Sequence, residues 1–185
     1  VNSSGWPHPL HYSTMYDLAV LSKAIIRDFP DMYKMYSEKE FTYNNITQPN
    51  RNSLLELYEG TDGLKTGYVK DSGYGIVVST LKKNRRIIIA VNGLESRKSR
   101  VIESERLLNW AFRNTKLETL FKKGEVVKKT DVWLGTKNQI DLIVGQDILT
   151  TLKSEQKDSI DTKIIYDKPI EAPILKNQEI GKIII

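Results

Sequence analysis

Asp62-Gly63-Leu64-Lys65-Thr66-Gly67-Tyr68, followed by Val69-Lys70-Asp71-Ser72-Gly73-Tyr74, is the stretch whose reading decides the fold. Gly60-Thr61-Asp62-Gly63 is a turn signal, and Lys65-Thr66-Gly67-Tyr68 reads as the strand that leaves it. Two further strands follow: Gly75-Ile76-Val77-Val78-Ser79-Thr80 and Arg86-Ile87-Ile88-Ile89-Ala90-Val91, with Lys82-Lys83-Asn84-Arg85 as the hairpin turn between them. Their β-branched runs show little polar alternation. That pattern predicts strands covered on both faces, as in a sheet with helices packed on it.

Working outward toward the N-terminus, residues 2–12 read as loop, rich in Asn, Ser, Pro and His. Ser13 or Thr14 caps a helix, and Thr14-x-x-Asp17 has capping-box spacing. Met15, Leu18, Leu21, Ile25 and Phe29 recur at steps of three and four, which predicts one apolar helix face. Asp28-Phe29-Pro30 ends or kinks that helix. A second short helical piece is expected over residues 30–36, a strand over 40–43, a turn at Asn44-Asn45, loop over 48–52, and burial of Leu54-Leu55. Downstream, a helix is expected over residues 99–114, with Val101, Leu108, Ala111 and Phe112 on one face. Past residue 116, short β-like segments alternate with Gly, Asp, Lys and Asn, as in Ile140-Asp141-Leu142-Ile143-Val144. The expected organisation is an α/β unit at 1–115, an antiparallel sheet with packed helices, followed by a small all-β domain at 116–185 that is incomplete. Trp110, Trp133 and Tyr74 are expected in the core.

With 185 residues, 39% hydrophobic and 28% charged, the chain can bury a real core and is globular in composition. No apolar run approaches the ~20 residues of a membrane-spanning helix. Zero cysteines exclude disulfides, zinc–thiolate sites and thiol catalysis. The net charge of +5 is spread over the chain without a dense basic block, so a solvated surface is expected and no nucleic-acid partner. His8 and His11 lack further ligands at metal-binding spacing, and no metal or other cofactor is expected.

Lys65-Thr66-Gly67 carries chemistry if it lies on a sheet edge. An extended peptide can pair with such a strand through its backbone. The ammonium supplies positive charge, the hydroxyl can donate to a carboxylate, and glycine removes a Cβ that blocks close approach. The Tyr68 N–H is then placed to donate to a developing oxyanion. Standing alone, the tripeptide also reads as the start of a strand with a solvated lysine.

The chain resembles the D-alanyl-D-alanine carboxypeptidases, low-molecular-weight penicillin-binding proteins of the S11 peptidase family. The resemblance runs through Gly5-x-Pro7, His11-Tyr12-Ser13-Thr14, Asp17-Leu18-Ala19, Asn50-Arg51-Asn52-x-Leu54-Leu55, the Asp62–Tyr68 stretch and Ser72-Gly73-Tyr74. It continues through Glu103-x-x-x-Leu107-Leu108-x-Trp110-x-Phe112, Val132-Trp133-x-Gly135 and Ala172-Pro173-Ile174-x-Lys176-Asn177-Gln178-x-Ile180-Gly181. It implies part of a transpeptidase/β-lactamase-like domain followed by the family's small β domain. It implies a serine acyl-enzyme that removes the terminal D-alanine from peptidoglycan stem peptides, and acylation of the same serine by β-lactam antibiotics. Lys65, Thr66, Gly67 and Tyr68 then carry catalytic roles, with Lys65, Thr66 and Arg51 holding the substrate carboxylate; Arg51 reads equally as a structural arginine paired with a nearby Asp. The implied location is the periplasmic or extracytoplasmic face of the inner membrane, with membrane association through a C-terminal anchor absent from this sequence.

The sequence departs from the family pattern at the nucleophile. Ser-x-x-Lys and Ser-x-Asn precede Lys-Thr-Gly in the family. Here Ser-x-x-Lys occurs at Ser79-Thr80-Leu81-Lys82 and Ser154-Glu155-Gln156-Lys157, both after Lys65, and Ser-x-Asn does not occur. The expectation is a chain that supplies the Lys-Thr-Gly wall of an active site whose serine and general base lie in a preceding segment. The competing readings are a non-catalytic penicillin-binding-like module that binds peptidoglycan or a protein partner, and a β-lactamase relative, which the extra β domain disfavours. Tyr68 stands where relatives often carry His. That change leaves a backbone role intact.

Overall fold

β4 (Gly73–Lys82) is the middle of a three-stranded antiparallel sheet, with β3 (Thr61–Val69) on one side and β5 (Arg85–Leu94) on the other. The computed structural model describes residues 1–6, 8–153 and 160–185. The chain divides into two compact units, Val1–Arg113 and Asn114–Ile185, and the sheet belongs to the first. β4 is buried over most of its length because its apolar residues alternate between two cores. Ile76 and Val78 pack with Leu54, Tyr58 and Leu108 on one face. Val77 packs with Tyr33 and Leu64 on the other, where Leu18, Ile25 and Ile26 close over it.

The elements behind those faces follow from local chemistry. α1 (Met15–Asp28) opens on a complete capping box, Thr14 Oγ1 accepting from the Asp17 N–H at 3.0 Å while the Asp17 carboxylate accepts from the Thr14 N–H. The hydrogen bonds that the Thr14 N–H and then the Thr14 hydroxyl donate to it hold the Asp17 carboxyl below its ordinary pKa. The core face of α1 is rotated from the expected one: Leu18 and Ile25 pack inward with Ile26 and Ser22, whereas Leu21 and Phe29 are more than half exposed. Pro30 starts α2 (Pro30–Tyr33), which tightens into a 3-10 turn at Lys34–Ser37. α3 (Leu54–Leu57) and α4 (Arg97–Asn114) serve the opposite face, where Leu54 and Leu108 are fully buried.

The expected turn at Asn44-Asn45 and the expected hairpin turn at Lys82–Arg85 each have two central residues in the left-handed region: Asn44 and Asn45 at φ 50° and 60°, Lys83 and Asn84 at 48° and 61°. The first joins β1 (Glu40–Tyr43) to β2 (Ile46–Pro49), where loop was expected at residues 48–49. Pro49 is tolerated because this pair is a separate, exposed two-stranded ribbon, and its missing N–H breaks no central ladder. Thr61 and Asp62 likewise belong to β3 rather than to a turn.

The second unit is strand-built, as its texture predicts. β6 (Thr115–Phe121) pairs with β9 (Ile148–Lys153), and β10 (Lys163–Tyr166) pairs with β12 (Gly181–Ile184). β7 (Val126–Trp133) lies between β8 (Gln139–Ile143), antiparallel, and β11 (Ile170–Glu171), parallel. Val144, Ile170 and Thr130 are buried there. Trp133 and, in the first unit, Trp110 are about half exposed rather than core.

Candidate active site

β3 places Lys65, Thr66, Gly67 and Tyr68 consecutively along one edge of the three-stranded sheet. Residues that face each other across an antiparallel pair share a face. Lys65 is opposite Val77 and Thr66 is opposite Ile76, so the two side chains leave opposite faces of the strand. Lys65 is exposed, and its Nζ donates to the Thr66 carbonyl at 2.7 Å. No carboxylate pairs with it among the described residues. Thr66 is more enclosed than an edge hydroxyl is expected to be, at 7% exposure. Tyr68 is 59% exposed and packs on Tyr74, its cross-strand partner, with ring centroids 4.4 Å apart.

The glycines separate structural need from open space. A Cβ on Gly63 meets the Tyr33 hydroxyl at 2.8 Å, and one on Gly75 meets the Asn92 side chain at 2.5 Å. A Cβ on Gly67 meets nothing within 4 Å, and its φ is not in the left-handed region. The fold therefore places no demand for glycine at 67.

Arg51 sits between two asparagines that act as scaffolding. The Asn50 amide donates to the Glu38 carbonyl at 2.9 Å and its oxygen accepts from the Asn52 N–H. Asn52, 1% exposed, donates to the Gly63 carbonyl at 3.0 Å and accepts from the Leu54 N–H. This loop is thereby tied to β3 two residues before Lys65, with the Arg51 side chain left exposed.

Arg100 is the residue that sequence reasoning missed. Ser96 Oγ accepts from the Ser99 N–H at 3.0 Å at the start of α4, and Arg100 lies in that first turn. It is 6% exposed. One Nη donates to the Arg51 carbonyl at 3.2 Å, while Nε is buried without a partner. Burial, and then the like charge of Arg97, push its pKa down. Among the described residues no carboxylate pairs with this buried guanidinium, and a guanidinium fork is chemically suited to one. The signal was available: Arg100, Ser104 and Leu108 recur at steps of four, placing an arginine on the buried stripe of the helix.

Behind β3, the Asp62 carboxylate accepts from Arg86 at 2.7 and 2.8 Å and from the Tyr33 hydroxyl at 2.6 Å. The fork raises the Arg86 pKa. Burial, with the Asp62 carboxylate second, pushes the Tyr33 phenol up to about 12. Arg86 also donates to Ser79 Oγ. Ser79 is fully buried in the central strand, so its Ser-x-x-Lys match is not a nucleophile elbow. The match at Ser154–Lys157 lies outside the described residues, as does Pro7 of the Gly5-x-Pro7 motif.

Clefts of about 500 Å³ beside Phe121 and Lys128 and about 510 Å³ beside Phe29 and Met32 do not touch Lys65 or Thr66. Chemistry rather than concavity singles out the candidate site. The family model described as D-alanyl-D-alanine carboxypeptidase matches residues 1–96. The chain belongs to the D-alanyl-D-alanine carboxypeptidase family. The family's penicillin-binding protein 5 C-terminal domain matches residues 116–185. D-alanyl-D-alanine carboxypeptidase DacA of Haemophilus influenzae is 37% identical over 183 residues, covering 97% of this chain and 47% of that protein. The solved structure of penicillin binding protein 5 from Haemophilus influenzae superposes with a TM-score of 0.80 at 37% identity, over 97% of this chain and 53% of that one. Penicillin-binding protein D2 of Listeria monocytogenes, solved in an ampicillin-bound form, has a TM-score of 0.56 at 28% identity, over 60% of this chain and 47% of that one. The chain thus spans about half the length of the carboxypeptidases it matches. The α/β-then-all-β arrangement read from the sequence is the arrangement of these relatives.

Proposed function

We propose that this chain is part of a serine-type D-Ala-D-Ala carboxypeptidase that trims peptidoglycan pentapeptides. It supplies the Lys-Thr-Gly wall, and the serine and its general base come from polypeptide outside this sequence. The observation that carries the reading is Gly67: an exposed edge position with ordinary backbone and empty space where a Cβ would stand. A strand glycine that the fold does not require marks a place where another backbone comes close.

The stem peptide pairs along the free edge of β3. Thr66 and Arg100 hold its terminal carboxylate, with Arg51 at the rim. Lys65 lends positive charge beside the reacting hydroxyl, and the Tyr68 N–H donates to the carbonyl oxygen as it gains charge. The serine attacks the carbonyl between the two D-alanines, the C–N bond breaks, and D-alanine leaves with a proton. Water then hydrolyses the acyl ester. A β-lactam presents the same carboxylate and an activated carbonyl to the same wall, in keeping with the ampicillin-bound relative. The substrate places this work in the cell envelope, on the periplasmic or extracytoplasmic side.

Labelled penicillin distinguishes the readings. The full-length protein becomes covalently labelled and the 185-residue chain alone does not. Labelling of the chain alone puts the nucleophile within it and refutes the division proposed here. A full-length protein that takes no label is the non-catalytic module.

A further inference from the structure

We propose that Asp62 and Arg86 form a register lock for β3, and that Asp62 is a positioning residue for the Lys65-Thr66-Gly67 wall; its catalytic consequence rests on the function proposed above. The β3–β4 pairing shifts between Thr61 and Gly63: Thr61 faces Thr80, Gly63 faces Ser79, and Asp62 is the extra residue of a β-bulge. Strand side chains alternate with period two, so a slip of one residue exchanges the faces of Lys65 and Thr66. The Tyr68–Tyr74 ring contact and the Thr61–Thr80 hydroxyl pair resist such a slip at the two ends of β3, but between them the strand offers less. It is an edge strand, contains two glycines, and its Gly67 faces Gly75, a pair with no side chains to interlock.

The bulge residue Asp62 is held from two elements, and its neighbour Gly63 from the Asn52 loop. Arg86 of β5 grips both Asp62 carboxylate oxygens across the width of β4, and donates on the way to the buried Ser79 hydroxyl. The Tyr33 hydroxyl of α2 adds a third hydrogen bond and lies against Gly63, where a Cβ has no room. Asn52 takes the Gly63 carbonyl from the other side. The ion pair is largely shielded, with side-chain exposures of 25% and 29%, so it is not a solvated surface pair. Apart from the Arg86–Ser79 bond, each of these contacts falls on Asp62 or Gly63 at the bulge, and none reaches Lys65 or Thr66 directly.

The test uses the full-length protein carrying Asp62→Asn, Arg86→Lys or both, read by amide hydrogen exchange and by penicillin acylation. Asp62→Asn is expected to raise exchange of the β3–β4 ladder by about tenfold or more while the β4–β5 ladder keeps its protection. Acylation is expected to slow by about 10- to 100-fold, in the chemical step rather than in the non-covalent affinity for penicillin. Arg86→Lys keeps the charge but not the fork and is expected not to rescue. The double variant is expected to be no worse than either single one. Tyr33→Phe removes a single hydrogen bond and gives a smaller shift in the same direction, which keeps the idea testable should Asp62→Asn fail to fold. Unchanged β3 exchange, or equal loosening of both ladders, overturns the lock. If the wild-type protein takes no penicillin, the functional reading fails, and exchange alone still decides the lock.

Discussion

Replacing Arg100 with Met separates a binding residue from a structural one. Arg100 is 6% exposed, with Nε unpartnered and one hydrogen bond to the Arg51 carbonyl at 3.2 Å. Met keeps most of the buried stem. The lost charged hydrogen bond costs about 1.5–3 kcal/mol. Removing a desolvated charge that has no counter-ion returns a penalty of order several kcal/mol, so the two terms nearly cancel. Stability is therefore expected to move by about 1 kcal/mol or less, against the roughly 3–5 kcal/mol expected when a buried ion pair is broken. Substrate loses a charge-assisted contact to its carboxylate, about 1.5–3 kcal/mol, or about 10- to 150-fold in the second-order acylation constant. Thermal unfolding and penicillin acylation of the full-length protein measure the two sides. A substrate amide lacking the carboxylate charge adds a control: it is expected to discriminate wild type but hardly the variant. A loss of stability above about 3 kcal/mol with acylation intact makes Arg100 a structural residue and refutes the reasoning.

Gly67→Ala is expected to leave the melting temperature nearly unchanged, because its Cβ meets nothing, yet to slow acylation by blocking the approaching substrate; normal acylation refutes the open-edge reading. Leu108→Ala, at a fully buried site between α4 and the sheet, is expected to cost about 2–5 kcal/mol in denaturant unfolding. Tyr33 is expected to ionise near pH 12, assigned as the tyrosinate absorbance missing from Tyr33→Phe. Its raised pKa means the neutral phenol is favoured in the folded state. The stability it lends is complete below its ordinary value of 10.0 and is lost as pH rises through about 12. Titration of Tyr33 near 10 contradicts its burial against Asp62.

Most of the central sheet was legible because its signals are local. The β-branched runs of β4 and β5 and the Lys83-Asn84 turn need no tertiary information. The capping box at Thr14 and Asp17 is equally local. The α1 face was misjudged because Leu21 and Phe29 are apolar yet exposed, while Ser22 is buried by bonding its hydroxyl to the Leu18 carbonyl. Periodicity counts apolar residues and overlooks a serine that satisfies itself. Asp62 read as a turn residue because the partner that holds it, Arg86, is two strands away. The family resemblance pointed to Lys65, Thr66, Gly67 and Arg51, but not to the opposite faces from which Lys65 and Thr66 leave the strand. Arg100 escaped notice because it belongs to no short motif, and its burial with an unpartnered Nε is visible only in the fold.

The most direct test is Lys65→Ala in the full-length protein, with penicillin acylation and thermal stability measured on the same sample. Lys65 is exposed and makes a single hydrogen bond to its own strand, so unfolding is expected to shift by no more than about 0.5 kcal/mol. Acylation is expected to fall by about 10²–10³-fold, the scale of losing one charge-stabilising group at the reacting carbonyl. A large drop in melting temperature with acylation at the wild-type rate contradicts the account.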